Sequence, residues 1–299
     1  MIFFRRISFL VAFLGIFANA HIVLADQVGI SVDQSIFTFS ADPGKSQEIK
    51  LNVRNTSEKL QKMSVKIVDF VAGDNGKVTN VAAKNEQFGM KDWVSAKEQN
   101  WDLEPKASKE IILTVAIPEN ASLGAHYAVA NIRAFPEVDG QNFQNTLVGG
   151  QVGVYLLINV NGAASGSGNL KNFDVPIVAP KDVPLKVEFE NTGNVLYIPH
   201  GEIKIQNLLT RKIATVDSEK HFVFPNTKYL FEMQWSPGSI LGAYSAQATF
   251  IDANGAAHTE QRFFFGKLFF IIPLLLIMIC IFAVAMIKRN RESKKLKIC

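Results

Sequence analysis

Apolar and polar residues alternate along most of the middle of the chain. Apolar residues occupy every second position in three segments, 48–54, 63–67 and 111–117. A period of two is typical of a β-strand with one buried face. Turn-forming residues separate these segments, among them Asp42-Pro43-Gly44 and Gly73-Asp74-Asn75-Gly76. Short strands separated by turns predict an all-β fold of the sandwich type.

The strand pattern occurs twice along the chain. Similar pieces follow in the same order in both halves: 51–56 and 187–192, 103–105 and 223–225, and 123–130 and 241–248. Residues 161–168 between the halves consist of Gly, Ala and Ser except for Asn161, which is the composition of a flexible linker. We therefore predict two tandem immunoglobulin-like β-sandwiches, 26–160 and 169–265, with little interface between them.

The two ends of the chain are apolar and differ from the middle. Residues 1–25 have the layout of a signal peptide, with cleavage expected after Ala20 or Ala25. Residues 268–287 carry no charge and have the length of a transmembrane helix, and 288–299 form a basic tail. Positive charge beside a span stays in the cytoplasm. The sequence therefore predicts a single-pass cell-membrane protein with an extracellular N-terminal region and a cytoplasmic tail.

Charge and cysteine content narrow the class of protein. The net charge of +4 comes from the two ends, and no basic stripe runs through the middle, so a nucleic-acid partner is not expected. The two cysteines, Cys280 and Cys299, both lie outside the predicted sandwiches. Exported eukaryotic domains of this kind usually contain disulfides, and their absence favours a bacterial surface protein.

Sequence motifs for catalysis, cofactors or metals are absent. The chain has no G-x-S-x-G, C-x-x-C, H-E-x-x-H, P-loop or dinucleotide-binding motif. We predict no catalytic residues, no cofactor and no metal site, and hence a protein that is not an enzyme.

Two tryptophans are the candidate ligand-binding residues. Trp93 and Trp101 flank a polar stretch, 95–100. Exposed aromatic rings there would stack on a sugar or a protein ligand. The alternative is that Trp93 anchors the core and Trp101 lies at its rim.

Several of these pieces resemble the WxL-interacting surface proteins of Gram-positive and related bacteria. The matching segments are 37–69, Asp92-Trp93-Val94, Leu103-Glu104-Pro105, 117–121 and 123–127. The resemblance implies a signal peptide, two immunoglobulin-like domains, one membrane helix and a basic tail. It also implies that the first domain binds peptidoglycan and the second binds a host or partner protein.

The sequence therefore favours a non-catalytic adhesion or scaffolding protein of the cell surface. Its partner would be cell-wall glycan or a surface protein. Two alternatives remain, a chaperone-like assembly factor that lends a strand edge to exported proteins, and an accessory subunit of a membrane complex.

The composition predicts stability that depends on neither metal nor disulfide bonds. Thermal melting of the protein should give the same Tm with and without a chelator, and with and without a reductant. A large fall in Tm with either reagent would reveal a metal or a disulfide that the sequence motifs do not show.

Overall fold

The computed structural model describes residues 29–81, 85–136, 149–237 and 242–295. The predicted signal peptide, 1–25, lies outside the described residues.

The described chain consists of β-strands followed by one α-helix. The elements, in chain order, are β1 Ile30–Val32, β2 Ile36–Ala41, β3 Ser46–Asn55, β4 Gln61–Ala72, β5 Val78–Val81, β6 Val94–Ala96, β7 Asn100–Leu103, β8 Ser108–Ala116, β9 Gly124–Pro136, β10 Gly150–Val160, β11 Gly168–Asp174, β12 Val178–Ala179, β13 Val183–Asn191, β14 His200–Asn207, β15 Ile213–Asp217, β16 Lys228–Trp235, β17 Ala243–Ile251, β18 Ala257–Gly266 and α1 Lys267–Lys295. Short 3-10 turns occur at Asp74–Gly76 and Lys91–Trp93.

Two sheets form the first sandwich. One has the strand order β1-β3-β8-β6, and the other has the order β2-β10-β9-β4-β5, with β7 also paired to β4. Most neighbours are antiparallel, whereas β2 runs parallel to β10. The Asp74–Gly76 turn joins β4 to β5 as the sequence predicts, with Ala72 opposite Val78.

The predicted alternation produces the core between these two sheets. Along β3 the side chains of Ile49, Leu51 and Val53 are buried and those between them are exposed. The inward residues of β8, β4, β9 and β10 join them in one apolar cluster. A one-residue shift in register would turn each of these faces to solvent, so the apolar pattern fixes the pairing.

The second sandwich is smaller and follows the same plan. Its sheets have the orders β11-β13-β16 and β12-β18-β17-β14-β15. Aromatic rings fill its core, with Phe189 stacked on Phe250 at 5.6 Å between ring centroids and Phe231 at 5.0 Å from Phe250. The prediction of an all-β architecture agrees with the described sheets.

A buried asparagine stands at the same corner of both sandwiches. Asn55 Nδ2 donates to the carbonyl of Leu103 at 2.9 Å, and Asn191 Nδ2 donates to the carbonyl of Val223 at 2.9 Å. Each Oδ1 accepts the backbone N–H two residues further on. The internal repeat in the sequence therefore corresponds to a repeated network of hydrogen bonds.

A proline-containing turn completes each corner. Pro105 precedes Lys106 at φ 60°, and Pro225 precedes Asn226 at φ 58°. Proline followed by a residue with positive φ is the arrangement of a type II turn. The carbonyl of the last residue of each turn accepts the backbone N–H of the corner asparagine at 3.0 Å. These residues are Ala107 in the first sandwich and Thr227 in the second.

The two sandwiches share an apolar cluster, which a linker-like composition does not predict. Phe224 of the second sandwich packs edge-on against Phe70 and Tyr127 of the first, at 5.9 and 5.3 Å between centroids. Beside this cluster, Asn159 and Leu196 exchange two hydrogen bonds of 2.8 and 2.9 Å. The cluster therefore contains buried aromatic rings from both sandwiches.

The Gly/Ala/Ser segment between the sandwiches is bonded to the second one. Ser165 O accepts from the backbone of Asn194, and Ser167 O accepts from the backbone of Thr192. A Cβ atom on Gly193 would lie 2.0 Å from Ser165 O. The small residues here allow two backbone segments to approach closely. The same composition is typical of a flexible linker, so composition alone does not distinguish the two roles.

The predicted single-pass membrane anchor is wrong. Among the residues that the structure describes, none forms a helix both long and apolar enough to cross a bilayer. The predicted span, 268–287, lies within helix α1. The predicted location, extracellular in front of a membrane span and cytoplasmic behind it, is withdrawn with the anchor.

Replacing the corner asparagine should destabilise the first sandwich. Asn55→Ala leaves the buried carbonyl of Leu103 and the N–H of Ser57 without their partner, which costs about 1–3 kcal/mol for each group. Denaturant unfolding should therefore show a fall of about 2–6 kcal/mol in the free energy of unfolding. Asn52→Ala, at an exposed position of the same strand, is the matched control. Equal effects of the two substitutions would contradict this role of the corner.

Candidate functional site

A buried carboxylate organises the loop that carries Trp93. Asp69 is fully buried on β4. Its Oδ1 accepts the backbone N–H groups of Met90 and Lys91 at 3.0 and 2.8 Å, and its Oδ2 accepts that of Asn85 at 3.0 Å. Charge-assisted bonds of this kind are stronger than neutral ones. They fix the loop 85–93 against the sandwich.

The same loop is packed tightly against β9. A Cβ atom on Gly89 would lie 2.4 Å from Asp69 Oδ2, so only glycine fits there. Phe88 stacks on Tyr127 at 5.6 Å between centroids, and its carbonyl accepts the Tyr127 N–H at 2.8 Å. Burial raises the pKa of Tyr127, and the Asn85 side chain opposes that shift with a hydrogen bond. The loop is therefore held by backbone, side-chain and ring contacts together.

Trp93 ends this loop with a half-buried ring. It closes the 3-10 turn Lys91–Trp93, directly before β6. The inner side of the indole packs on the core of the first sandwich, and its centroid lies 4.4 Å from that of His126. Trp93 as a whole is half-buried. Trp93 thus combines the core role with an accessible surface.

Trp101 is placed differently from Trp93. Only 6% of it is exposed, on β7, and it belongs to the apolar core. Lys109 Nζ lies 6.0 Å from the centroid of its ring. The two tryptophans do not form a shared binding surface, because Trp101 is enclosed by the core whereas Trp93 is half-buried.

The imidazole of His126 packs against the indole of Trp93. It is 3% exposed, and its Nε2 lies 2.9 Å from the carbonyl and 3.0 Å from the hydroxyl of Ser122. Burial lowers the pKa of His126, and the backbone of Ser122 and of Gly89 opposes that shift. A neutral imidazole is therefore the form that the folded protein holds at neutral pH.

A second concave region lies between the two sandwiches. A cavity of about 520 Å³ opens there, lined from the first sandwich by Ile36, Tyr155 and the Asp74–Gly76 turn, and from the second by His221, Phe222 and Tyr229. His221 stacks on Tyr229 at 4.6 Å between centroids. No sequence motif marks this cavity, because its walls come together only when the sandwiches pack.

Metal ligation finds no support in the described ranges. Within 29–81, 85–136, 149–237 and 242–295, no three residues of the His, Cys, Asp and Glu types stand close enough to hold a metal ion. Asp252 is a buried carboxylate that forms hydrogen bonds within the second sandwich. Burial raises its pKa, but hydrogen bonds from His258 and from three backbone N–H groups outweigh that effect and hold the pKa below its usual range.

Comparison with known sequences identifies the domain that carries Trp93. Residues 22–133 match the sequence model described as "WxL Interacting Protein, peptidoglycan binding domain". These residues belong to that family. The resemblance of the chain to WxL-interacting proteins is thereby confirmed over this range, which contains β1–β8, the loop 85–93 and Trp101. Among curated proteins, no sequence matches the chain.

Matches among solved structures include several bacterial chaperones. The class 5 fimbriae chaperone CfaA is 11% identical, with a TM-score of 0.41, and the match covers 78% of this chain and 99% of that one. The E. coli chaperone DraB is 9% identical, with a TM-score of 0.40 and coverages of 79% and 97%. The Salmonella enterica SafA pilin in complex with the SafB chaperone is 12% identical, with a TM-score of 0.40 and coverages of 80% and 97%. These TM-scores lie below 0.5, and no conclusion about function rests on them.

The lowered pKa of His126 makes stability depend on pH. In the unfolded chain histidine has a pKa of about 6.5, and in the folded protein the value lies lower. Between these two values the unfolded chain binds more protons, so stability falls as pH falls below about 6.5. Denaturant unfolding from pH 7.5 to pH 5 should show this loss, and His126→Gln should reduce it.

His221→Gln is the control for this measurement. His221 lies in the second sandwich and its side chain is 44% exposed, so His221→Gln removes a histidine without changing the surroundings of His126. If His126→Gln retains the full loss of stability, the dependence comes from other groups.

Proposed function

We propose that the protein is a non-catalytic scaffold of the bacterial cell surface that binds peptidoglycan through its first sandwich. The match of residues 22–133 to a peptidoglycan-binding domain family carries this proposal. The matched range contains all of the loop 85–93 that Asp69 fixes in place. The first sandwich thus supplies both the family relationship and a rigid surface loop.

Trp93 is the proposed contact residue for the glycan. An indole ring offers a flat apolar face and a polar N–H, which suits recognition of sugar rings that have both apolar and hydroxyl-bearing surfaces. The ring is supported from inside by His126 and by the core, so little side-chain entropy is lost on binding. Trp101 is too deeply buried to share this role and contributes to the fold.

Polar groups of the same loop would add hydrogen bonds. Glu86 and Gln87 are exposed, and the backbone beneath them is held by Asn85, whose Oδ1 accepts the N–H of Gln87 at 3.2 Å. Peptidoglycan presents hydroxyl groups, N-acetyl groups and short peptides. An amide and a carboxylate on a fixed backbone are suitable partners for such groups.

Cosedimentation with purified peptidoglycan tests the proposal. The full-length protein should pellet with sacculi in a saturable manner. Trp93→Ala should weaken binding about tenfold, since loss of aromatic stacking costs about 0.5–1.5 kcal/mol beyond the buried area. Trp235→Ala, which removes a half-buried tryptophan of the second sandwich, is the matched control and should bind as the parent does.

The outcomes separate the domain assignment from the residue assignment. If the parent protein stays in the supernatant at all concentrations, peptidoglycan binding is refuted. If the parent pellets and Trp93→Ala pellets equally well, the domain binds through another surface. Circular dichroism of each variant establishes that it is folded.

A further inference from the structure

Strand β16 has an open outer edge in the described structure. It is the last strand of the sheet β11-β13-β16, and its other side pairs with β13. The backbone N–H groups of Lys228 and Leu230 point away from β13, because they donate to side chains of another segment. Along an edge strand, the backbone N–H groups of alternate residues point to the same side. The N–H groups of Glu232 and Gln234 therefore point outward, as those of Lys228 and Leu230 do.

The first sandwich already occupies half of this edge. Asp74 Oδ1 accepts the Lys228 N–H at 2.8 Å, and Asn75 Oδ1 accepts the Leu230 N–H at 2.8 Å. These two oxygens take the place of the carbonyls of a neighbouring strand. Beyond Leu230 no strand within the described residues continues the pairing. The remaining half of the edge is therefore a template for an added strand.

A continuous groove runs along this edge. The cavity of about 520 Å³ between the sandwiches shares His221 and Tyr229 with a cavity of about 280 Å³. The cavity of about 280 Å³ in turn shares Glu219 and Glu232 with an open cavity of about 730 Å³. The three together follow β16 from the aromatic interface between the sandwiches to the far end of the second sandwich.

The two ends of the groove differ in chemistry. At the interface end the walls are aromatic, with Tyr155, Phe222 and Tyr229. At the far end they carry the carboxylates of Asp182, Asp217, Glu219 and Glu232, against one lining cation, Lys186. Lys186 Nζ lies 2.6 Å from Glu232 Oε1, so the charges of this pair cancel. The other three carboxylates therefore give the far end of the groove a negative charge. The far end therefore favours a cationic occupant.

We propose that this groove binds an extended, basic segment of a partner protein, which adds a strand to the outer edge of β16. Backbone groups of the segment bond to Glu232 and Gln234, and its Lys or Arg side chains meet the carboxylates at the far end. Its apolar side chains enter the aromatic end beside Tyr229. A strand edge with alternating outward donors recognises a polypeptide backbone, whereas a glycan has no matching periodicity.

A synthetic peptide of nine alternating Lys and Val residues, labelled with a fluorophore, is the probe for this site. Fluorescence anisotropy with the full-length protein should show saturable binding that weakens as salt rises. Gln234→Pro removes one outward donor at an edge position where proline is tolerated, and should weaken binding about tenfold. Gln234→Ala keeps the donor and should bind within about twofold of the parent. Asp217→Asn should weaken binding of this peptide, and a peptide with Glu in place of Lys should not bind.

Hydrogen exchange gives a second test that does not need a variant to fold. On addition of the peptide, the amides of Glu232 and Gln234 should become protected from exchange. The proposal is overturned if these amides exchange unchanged, if Gln234→Pro binds the peptide as well as the parent does, or if soluble peptidoglycan fragments displace the peptide. Trp93→Ala should bind the peptide normally, so failure of the peptidoglycan proposal and failure of this one are distinguishable.

Discussion

The buried side-chain amide at the corner of each sandwich is the interaction on which the rest of the structure depends. Asn55 and Asn191 are each fully enclosed, and each joins the end of a central strand to a distant carbonyl and to the following turn. Burying an amide is unfavourable unless its groups are bonded. Because both corners satisfy that requirement in the same way, the strands that follow leave each corner in the same direction, and the chain builds one plan twice.

The packing of the two sandwiches then creates surfaces that neither has alone. Phe224 enters the aromatic cluster of Phe70 and Tyr127, and the Asp74–Gly76 turn reaches the edge of β16. This contact closes half of the edge and leaves the other half open beside an acidic groove. Trp93 lies on the first sandwich, whereas the acidic end of the groove at β16 is lined by residues of the second. The two proposed binding sites therefore use different parts of the molecule.

Local pattern predicted the strands and the repeat well, but it did not distinguish the surroundings of the two candidate tryptophans. Ile49, Leu51 and Val53 alternate in the sequence and face the core together in the structure. Trp93 and Trp101 flank the same polar stretch of sequence, yet Trp93 is half-buried and Trp101 is enclosed by the core. Side-chain exposure depends on which strands cover a position, and that information is spread over distant parts of the chain. The apolar stretch 268–287 predicted a membrane span that the described helix does not support.

The sequence by itself determined the all-β class, the tandem repeat and the family of residues 22–133. These properties are encoded in spacing and in short motifs, which depend on neighbours along the chain. Only the tertiary structure decided that Asp69 holds the loop of Trp93, that the small residues of 161–168 serve close packing, and that β16 keeps an open edge. Each of these depends on groups brought together from separate segments, and a hydrogen bond or a cavity exists only where the folded chain places both of its sides.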